Sequence, residues 1–271
     1  MLRLLRGCAL CLYVSLIRSV AGCSGELFFH LKQDGRFNED RTRFYVAQLA
    51  MALSHLHRCG VVYRDLKPEN ILLSAEGNIV ITDFGLSKQL APDGSTQTFC
   101  GTPEYLAPEI LKGSSHGTAV DWWSLGTFMY EMITGLPPFY SPNMNIMYQK
   151  ILSSEIKYPN YMSAEAQSLL AGLLNRDPEK RLGTTAEQDG DDVFAHPFFS
   201  GIDWDKLYKK AIPPPFVPTV RDITDLSNID RAFTSERAVD SVVEDSVIAQ
   251  VAEADFEGFT FQADSVLGKG V

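Results

Sequence analysis

The run from Val120 to Ile133 limits what this chain can fold into more than any other segment. It reads Val-Asp-Trp-Trp-Ser-Leu-Gly-Thr-Phe-Met-Tyr-Glu-Met-Ile, long enough for a helix and apolar nearly all round. A helix without a polar face must be covered on every side, so the rest of the body has to wrap around it. With 271 residues, 45% hydrophobic and 21% charged, the chain has the material for one large core or two small ones. At that size neither disulfides nor structural metals are needed. The five cysteines (Cys8, Cys11, Cys23, Cys59, Cys100) are an odd count without zinc-ligand spacing, which points to reduced thiols.

The surrounding sequence is mostly helical in pattern. Leu27, Phe28 and Leu31 share a face, Gly35 ends that helix, and Asn38 can cap the next. Phe44, Val46, Leu49, Leu53 and Leu56 predict a long amphipathic helix ending at Gly60. Two short β-prone runs follow, 71–73 and 79–82, joined by Glu76-Gly77-Asn78 as a hairpin turn. Further helices are predicted over 143–152 and 164–174, and the helical pattern fades after Pro213. Net charge is −10, yet residues 222–271 carry 11 acidic against 3 basic side chains. The body is therefore close to neutral and the tail acidic, which excludes a non-specific nucleic-acid binder. The same composition excludes collagenous, disulfide-rich and multi-pass membrane classes, so stable membrane insertion is not expected.

Residues 1–24 stand apart. They hold Arg3, Arg6 and Arg18, no acid, and an uncharged stretch from Gly7 to Ile17. The readings that stay open are a secretory signal, or a hinge or strand remnant, with Leu12–Leu16 β-prone and Val20-Ala21-Gly22 hinge-like.

Three motifs carry chemistry: Tyr63-Arg64-Asp65-Leu66-Lys67-Pro68-Glu69-Asn70, then Asp83-Phe84-Gly85, then Ala107-Pro108-Glu109. In this order and spacing they resemble the catalytic loop, the metal-binding loop and the end of the activation segment of protein kinases. The resemblance implies that Asp65 orients the substrate hydroxyl and accepts its proton. It implies that Asn70 and Asp83 hold Mg²⁺ through oxygen, and that Lys67 places a cation on the moving phosphoryl group of ATP, as in Ser/Thr kinases. Tyr63 departs from the pattern, which has His there, at a position of packing. The bland alternative is a structural Asp/Asn cluster beside a hairpin.

The segments Thr98-Phe99-Cys100-Gly101-Thr102-Pro103-Glu104-Tyr105-Leu106 and Asp121-Trp122-Trp123-Ser124-Leu125-Gly126 resemble the AGC group, relatives of protein kinases A, G and C. That makes Thr98 the activation-loop phosphorylation site for an upstream activating kinase, with Arg64 and Lys88 pairing with the phosphate. Thr102 would bridge Asp65 and Lys67, and Glu109 with Arg181 would form a buried ion pair. Leu72 matches the apolar floor beneath adenine. Glu26, Glu69 and Glu131 match acids that receive arginines preceding the target Ser/Thr, Glu26 and Glu69 also bordering the nucleotide site; the alternative is solvated or capping acids. Phe256-Glu257-Gly258-Phe259-Thr260-Phe261 resembles a hydrophobic motif and Ser241 a turn-motif site, the tail phosphosites Ser241 and Thr260 suggesting the branch of Akt and the ribosomal-protein kinases. A packed C-terminal strand is the plainer reading of that aromatic cluster. Ile229 stands where relatives have a Phe over adenine. The histidines (His30, His55, His57, His116, His196) show no ligand spacing and receive no role.

The resemblance implies a mainly α fold of the α+β family: a kinase-like large lobe with a short β-hairpin over 25–212, then a C-terminal regulatory tail over 213–271. Neither G-x-G-x-x-G nor a V-A-I-K lysine occurs in residues 1–24, so a truncated small lobe and feeble nucleotide binding are expected. The function expected is transfer of the ATP γ-phosphate, with Mg²⁺, to Ser/Thr of basic protein substrates. The competing reading is a non-catalytic docking or decoy module that binds kinase substrates or regulators. The expected location is cytoplasmic, or secretory if residues 1–24 act as a signal.

Overall fold

A computed structural model of the chain describes residues 23–90, 94–185, 189–222 and 225–235. In chain order the elements are β1 (Cys23–Glu26), α1 (Leu27–Asp34), α2 (Glu39–Arg58), β2 (Val61–Val62), β3 (Ile71–Ser74), β4 (Ile79–Ile81) and β5 (Lys88–Gln89). After them come α3 (Pro108–Leu111), α4 (Ala119–Thr134), α5 (Met144–Ser153), α6 (Ala164–Leu173), α7 (Asp191–Phe194), α8 (Trp204–Tyr208) and α9 (Arg231–Thr234).

Helix α4 is the apolar run singled out above, and each residue from Val120 to Ile133 is buried. Helices α2 and α6 pack against it. Gly126 permits the α6 approach: a Cβ there would lie 2.9 Å from Leu173 Cβ. Trp123 stacks on Phe139 with ring centroids 5.9 Å apart. Helix α2 starts where its cap predicts, because the Asn38 side chain accepts from Arg41 N at 2.9 Å and Glu39 and Asp40 suit the positive helix start. Leu49, Ala50 and Leu53 on its inner face are 0% exposed.

The expected hairpin is β3–β4, in register Ile71↔Ile81 and Leu73↔Ile79. Its turn needs Gly77 at φ +88, and the Phe216 carbonyl lies 2.2 Å from where a Cβ would stand. Two pairings were not expected. Strand β1 adds to the other edge of β3, placing Glu26 opposite Leu72, and β2 pairs antiparallel with β5. Strands β1, β2 and β5 are too short for periodicity to reveal.

Past Pro213 the chain still packs on the body: the Phe216 ring meets His30 at 5.1 Å and the Arg41 guanidinium at 3.9 Å. The compact unit closes at Thr234. The expectations for residues 1–22, Ser241, Phe256, Phe259, Thr260 and Phe261 lie outside the described residues. No described helix is long and apolar enough to cross a membrane.

Candidate active site

The site is built outward from α4. Asp121 in its first turn is 0% exposed, and its carboxylate accepts from Tyr63 N at 2.8 Å and Arg64 N at 2.7 Å. A buried carboxylate must be hydrogen-bonded, and these bonds fix the loop after β2 to the centre of the fold. Arg64 there adopts φ 70, a left-handed conformation that costs a β-carbon-bearing residue about 1–3 kcal/mol and persists only where surroundings impose it.

Asp65 follows and is 5% exposed. Its Oδ2 accepts from Asn70 Nδ2 at 2.8 Å and lies 3.0 Å from Lys67 Nζ. Its Oδ1 accepts from Thr102 Oγ1 at 2.8 Å, and Lys67 Nζ donates to that hydroxyl at 3.0 Å. Thr102 thus stands between Asp65 and Lys67 and ties the segment leading into Pro103–Tyr105 to the loop. Asn70 donates as well to the Asp65 carbonyl at 2.9 Å.

The Asp83 segment is stitched to this loop. Thr82 donates to the Asn70 carbonyl from both N and Oγ1, each at 2.9 Å. The Tyr63 hydroxyl donates to the Thr82 carbonyl at 2.5 Å, and its ring meets Phe84 edge-on at 5.3 Å. Burial first, then the Asp65 charge, pushes the Tyr63 phenol far above its ordinary range, so it stays a donor. Asp83 itself is exposed, at φ 51, with Oδ1 accepting from Gly85 N at 3.1 Å. No cluster of three or more His, Cys, Asp or Glu able to hold a metal exists among the described residues. The Asp83 carboxylate and the Asn70 amide oxygen are hard donors, too few for a closed cage. That set suits Mg²⁺, which uses one or two protein oxygens together with substrate phosphates.

Thr98 is exposed, and Lys88 Nζ reaches its hydroxyl at 3.4 Å while donating to Thr96 Oγ1 at 3.0 Å. Arg64 donates from Nε to the Leu86 carbonyl at 2.7 Å, and its Nη1 is buried with no hydrogen-bond partner among the described residues. Glu109 and Arg181 form a two-pronged pair, 2.6 Å and 2.9 Å, with Arg181 0% exposed.

The acids share one region. Burial, then repulsion from Glu69 and Asp230, raises Glu26. Glu26 occupies the start of α1 without a side-chain capping bond. Burial pushes Glu131 up to about 7, with Glu69 and Glu104 adding repulsion, although it accepts from the Tyr105 hydroxyl. Glu69 therefore acts on both partners, while being exposed itself. Glu104 belongs to this cluster and was not singled out from sequence; its signal was its place beside Tyr105. Leu72 is half-buried on the sheet next to Glu26. Ile229 is 37% exposed, and the carbonyl of the preceding Asn228 lies against Gly25. His57, given no role from sequence, is buried against Asp121 and Asp189.

The model of the protein kinase domain matches residues 13–199, and that of the protein kinase C terminal domain matches residues 220–261. Protein kinase 2 of Dictyostelium discoideum is 59% identical over 90% of this chain and 50% of its own length. The RAC family serine/threonine-protein kinase homolog of the same organism is 51% identical over 89% of this chain and 54% of its own. Serine/threonine-protein kinase YPK1 of Saccharomyces cerevisiae is 48% identical over 91% and 36%. The chain spans about half the length of these relatives, or less.

Proposed function

The chain belongs to the protein kinase family, with the C-terminal domain of the AGC group, and from that premise we propose that it transfers the ATP γ-phosphoryl group to Ser/Thr hydroxyls of proteins with basic residues ahead of the target. The observation that carries this reading is the Asp65 carboxylate, oriented at once by Asn70, Thr102 and Lys67. Phosphoryl transfer asks a protein for positioning and charge neutralisation rather than covalent chemistry. Asp65 orients the attacking hydroxyl and accepts its proton, and Lys67 meets the negative charge of the group in transit. Asn70 and Asp83 would hold Mg²⁺, which neutralises phosphate oxygens when bound. Leu72 would pack beneath adenine, with Glu26 and Glu69 at the border of that site. Glu26, Glu69 and Glu131 would receive substrate arginines.

The large lobe is assigned to 25–212 and the regulatory tail to 213–271, with Ser241 and Thr260 as tail phosphosites. No G-x-G-x-x-G or V-A-I-K segment occurs among the 271 residues, so the assignment concerns the large-lobe half of the site. Thr98 would be phosphorylated by an upstream kinase. The Lys88 ammonium, 3.4 Å from the Thr98 hydroxyl, supports an anion there, and the Arg64 Nη1 is a donor without a partner among the described residues. The free thiols of Cys59 and Cys100 suit a reducing, cytoplasmic setting.

The test uses a chimera in which these residues follow the part of the Dictyostelium protein kinase 2 that precedes the matched region. A Ser peptide with arginines before the target should be phosphorylated, and replacing those arginines by alanine should raise KM about tenfold or more, since charge-assisted bonds contribute about 1.5–3 kcal/mol each. Equal use of the alanine peptide, or of a Tyr peptide, would overturn the substrate class.

A further inference from the structure

His57 sits at the C-terminal end of α2 with its side chain 1% exposed, between two carboxylates. Its Nε2 is 2.8 Å from Asp121 Oδ2 and its Nδ1 is 2.7 Å from Asp189 Oδ1. A carboxylate only accepts, and a neutral imidazole has a single N–H. The neutral ring would leave a lone pair facing carboxylate oxygen at one end, whereas the imidazolium donates at both. Burial opposes that charge, but the bonds to Asp121 and Asp189 outweigh it and hold His57 at about 9. Around the ring, Asp121 faces it from α4 and Asp189 from the loop before α7, while Trp122 presents its ring edge-on at 5.5 Å.

Asp189 is held in turn by several elements. Its Oδ1 accepts from Trp122 Nε1 at 3.1 Å and its Oδ2 from Thr118 Oγ1 at 2.8 Å. Its backbone carbonyl accepts from Ser54 Oγ at 2.9 Å. The next residue closes the loop through Gly190 N to the Gly183 carbonyl, at 2.9 Å. These bonds exceed what a surface loop acid needs, and they converge on the far side of the histidine from the catalytic loop.

We infer that Asp189 is a positioning residue for the catalytic loop: by holding the His57 imidazole in one orientation, it fixes the Asp121 carboxylate that binds the Tyr63 and Arg64 amides. The same oxygen of Asp121, Oδ2, receives both His57 Nε2 and Tyr63 N, so a turn of the imidazole is felt directly at the loop. Arg64 combines a left-handed conformation with an amide that donates to Asp121 Oδ1, and such a conformation persists only where the surroundings impose it. Asp65 is the next residue, so its carboxylate direction depends on that hold. The kinetic consequence rests on the function proposed above; the structural one does not.

The experiment uses the full 271-residue chain and its Asp189→Asn and Asp189→Glu variants. Nitrogen-15 NMR of the imidazole follows His57 titration, and amide hydrogen exchange follows Tyr63 and Arg64. With Asp189→Asn, the His57 midpoint should fall by about one pH unit or more, and protection of the Tyr63 and Arg64 amides by about tenfold. Asp189→Glu, which keeps the charge, should restore most of both. Exchange at Leu169 and Leu170 in α6 should stay as in the unmodified chain. Unchanged exchange at Tyr63 and Arg64, an unmoved His57 midpoint, or an equal loss of protection in α6 would each overturn the positioning role. In the chimera described above, Asp189→Asn should lower kcat about tenfold and leave the peptide KM unchanged. An inactive chimera would sink the functional reading, while the exchange measurement would still decide this one.

Discussion

Replacing Arg181 by methionine should destabilise the fold far more than the loss of any surface charge. The guanidinium is 0% exposed and donates through Nη1 and Nη2 to Glu109 at 2.6 Å and 2.9 Å. It also donates to the Ala119 carbonyl at 2.7 Å and the Asn175 carbonyl at 2.9 Å, and lies 5.2 Å from the Trp123 ring centroid. Methionine fills similar space but leaves the Glu109 carboxylate, 7% exposed, without its counter-charge. Breaking a buried pair from one side costs about 3–5 kcal/mol. Taking about 4 kcal/mol and a urea slope of about 2.5 kcal/mol/M, the unfolding midpoint should drop by roughly 1.6 M. Lys206→Met is the control, since its pair with Asp203 is 66% and 46% exposed and such pairs contribute about 0–1 kcal/mol. The double variant Arg181→Met/Glu109→Met should recover much of the loss, because apolar replacement of a whole buried pair is often neutral. A urea midpoint for Arg181→Met no lower than that of Lys206→Met would refute the reasoning.

Three further outcomes follow from the geometry. Gly126→Ala places a Cβ 2.9–3.0 Å from Leu173 and Leu174; overpacking of about 1–3 kcal/mol outweighs the propensity gain of about 1 kcal/mol, so calorimetry should show a lower Tm, and an unchanged or raised one would contradict the tight α4–α6 contact. Glu131 is held up to about 7 from an ordinary 4.5, so its stabilising share is full below about pH 4.5 and lost as pH rises through about 7. Glu131→Gln should therefore flatten the fall of Tm between pH 5 and pH 8, and parallel curves would tell against it. Phosphorylation of Thr98 should slow proteolysis of the activation segment relative to Thr98→Ala, through Lys88 and Arg64; equal cleavage would remove the pairing.

What was legible in the sequence was mainly local. The buried helix followed from an apolar run without a polar face, and the α2 start from Asn38 with its acidic first turn. Glycine between two β-prone runs marked the β3–β4 turn. The residues around Asp65 were legible because the motif spacing is itself short. What escaped depends on contacts between distant segments. His57 meets partners 64 and 132 residues away, and no spacing rule joins them. Strand β1 is held by pairing with β3 rather than by its own four residues, whose composition, Cys-Ser-Gly-Glu, has no β preference. Glu104 drew no notice as a charge, since its repulsion of Glu131 depends on the fold bringing together two acids that are distant in sequence.

The role proposed for Asp65 is that of base and anchor in phosphoryl transfer to a protein hydroxyl. The direct test is the rate of labelled γ-phosphate transfer from Mg-ATP to an arginine-containing Ser peptide, at saturating substrate, by the chimera and its Asp65→Asn variant. A positioned general base contributes about 10²–10⁴ in rate. Asp65→Asn should lower kcat within or beyond that range while ATP binding persists. Equal rates for the two proteins would contradict it.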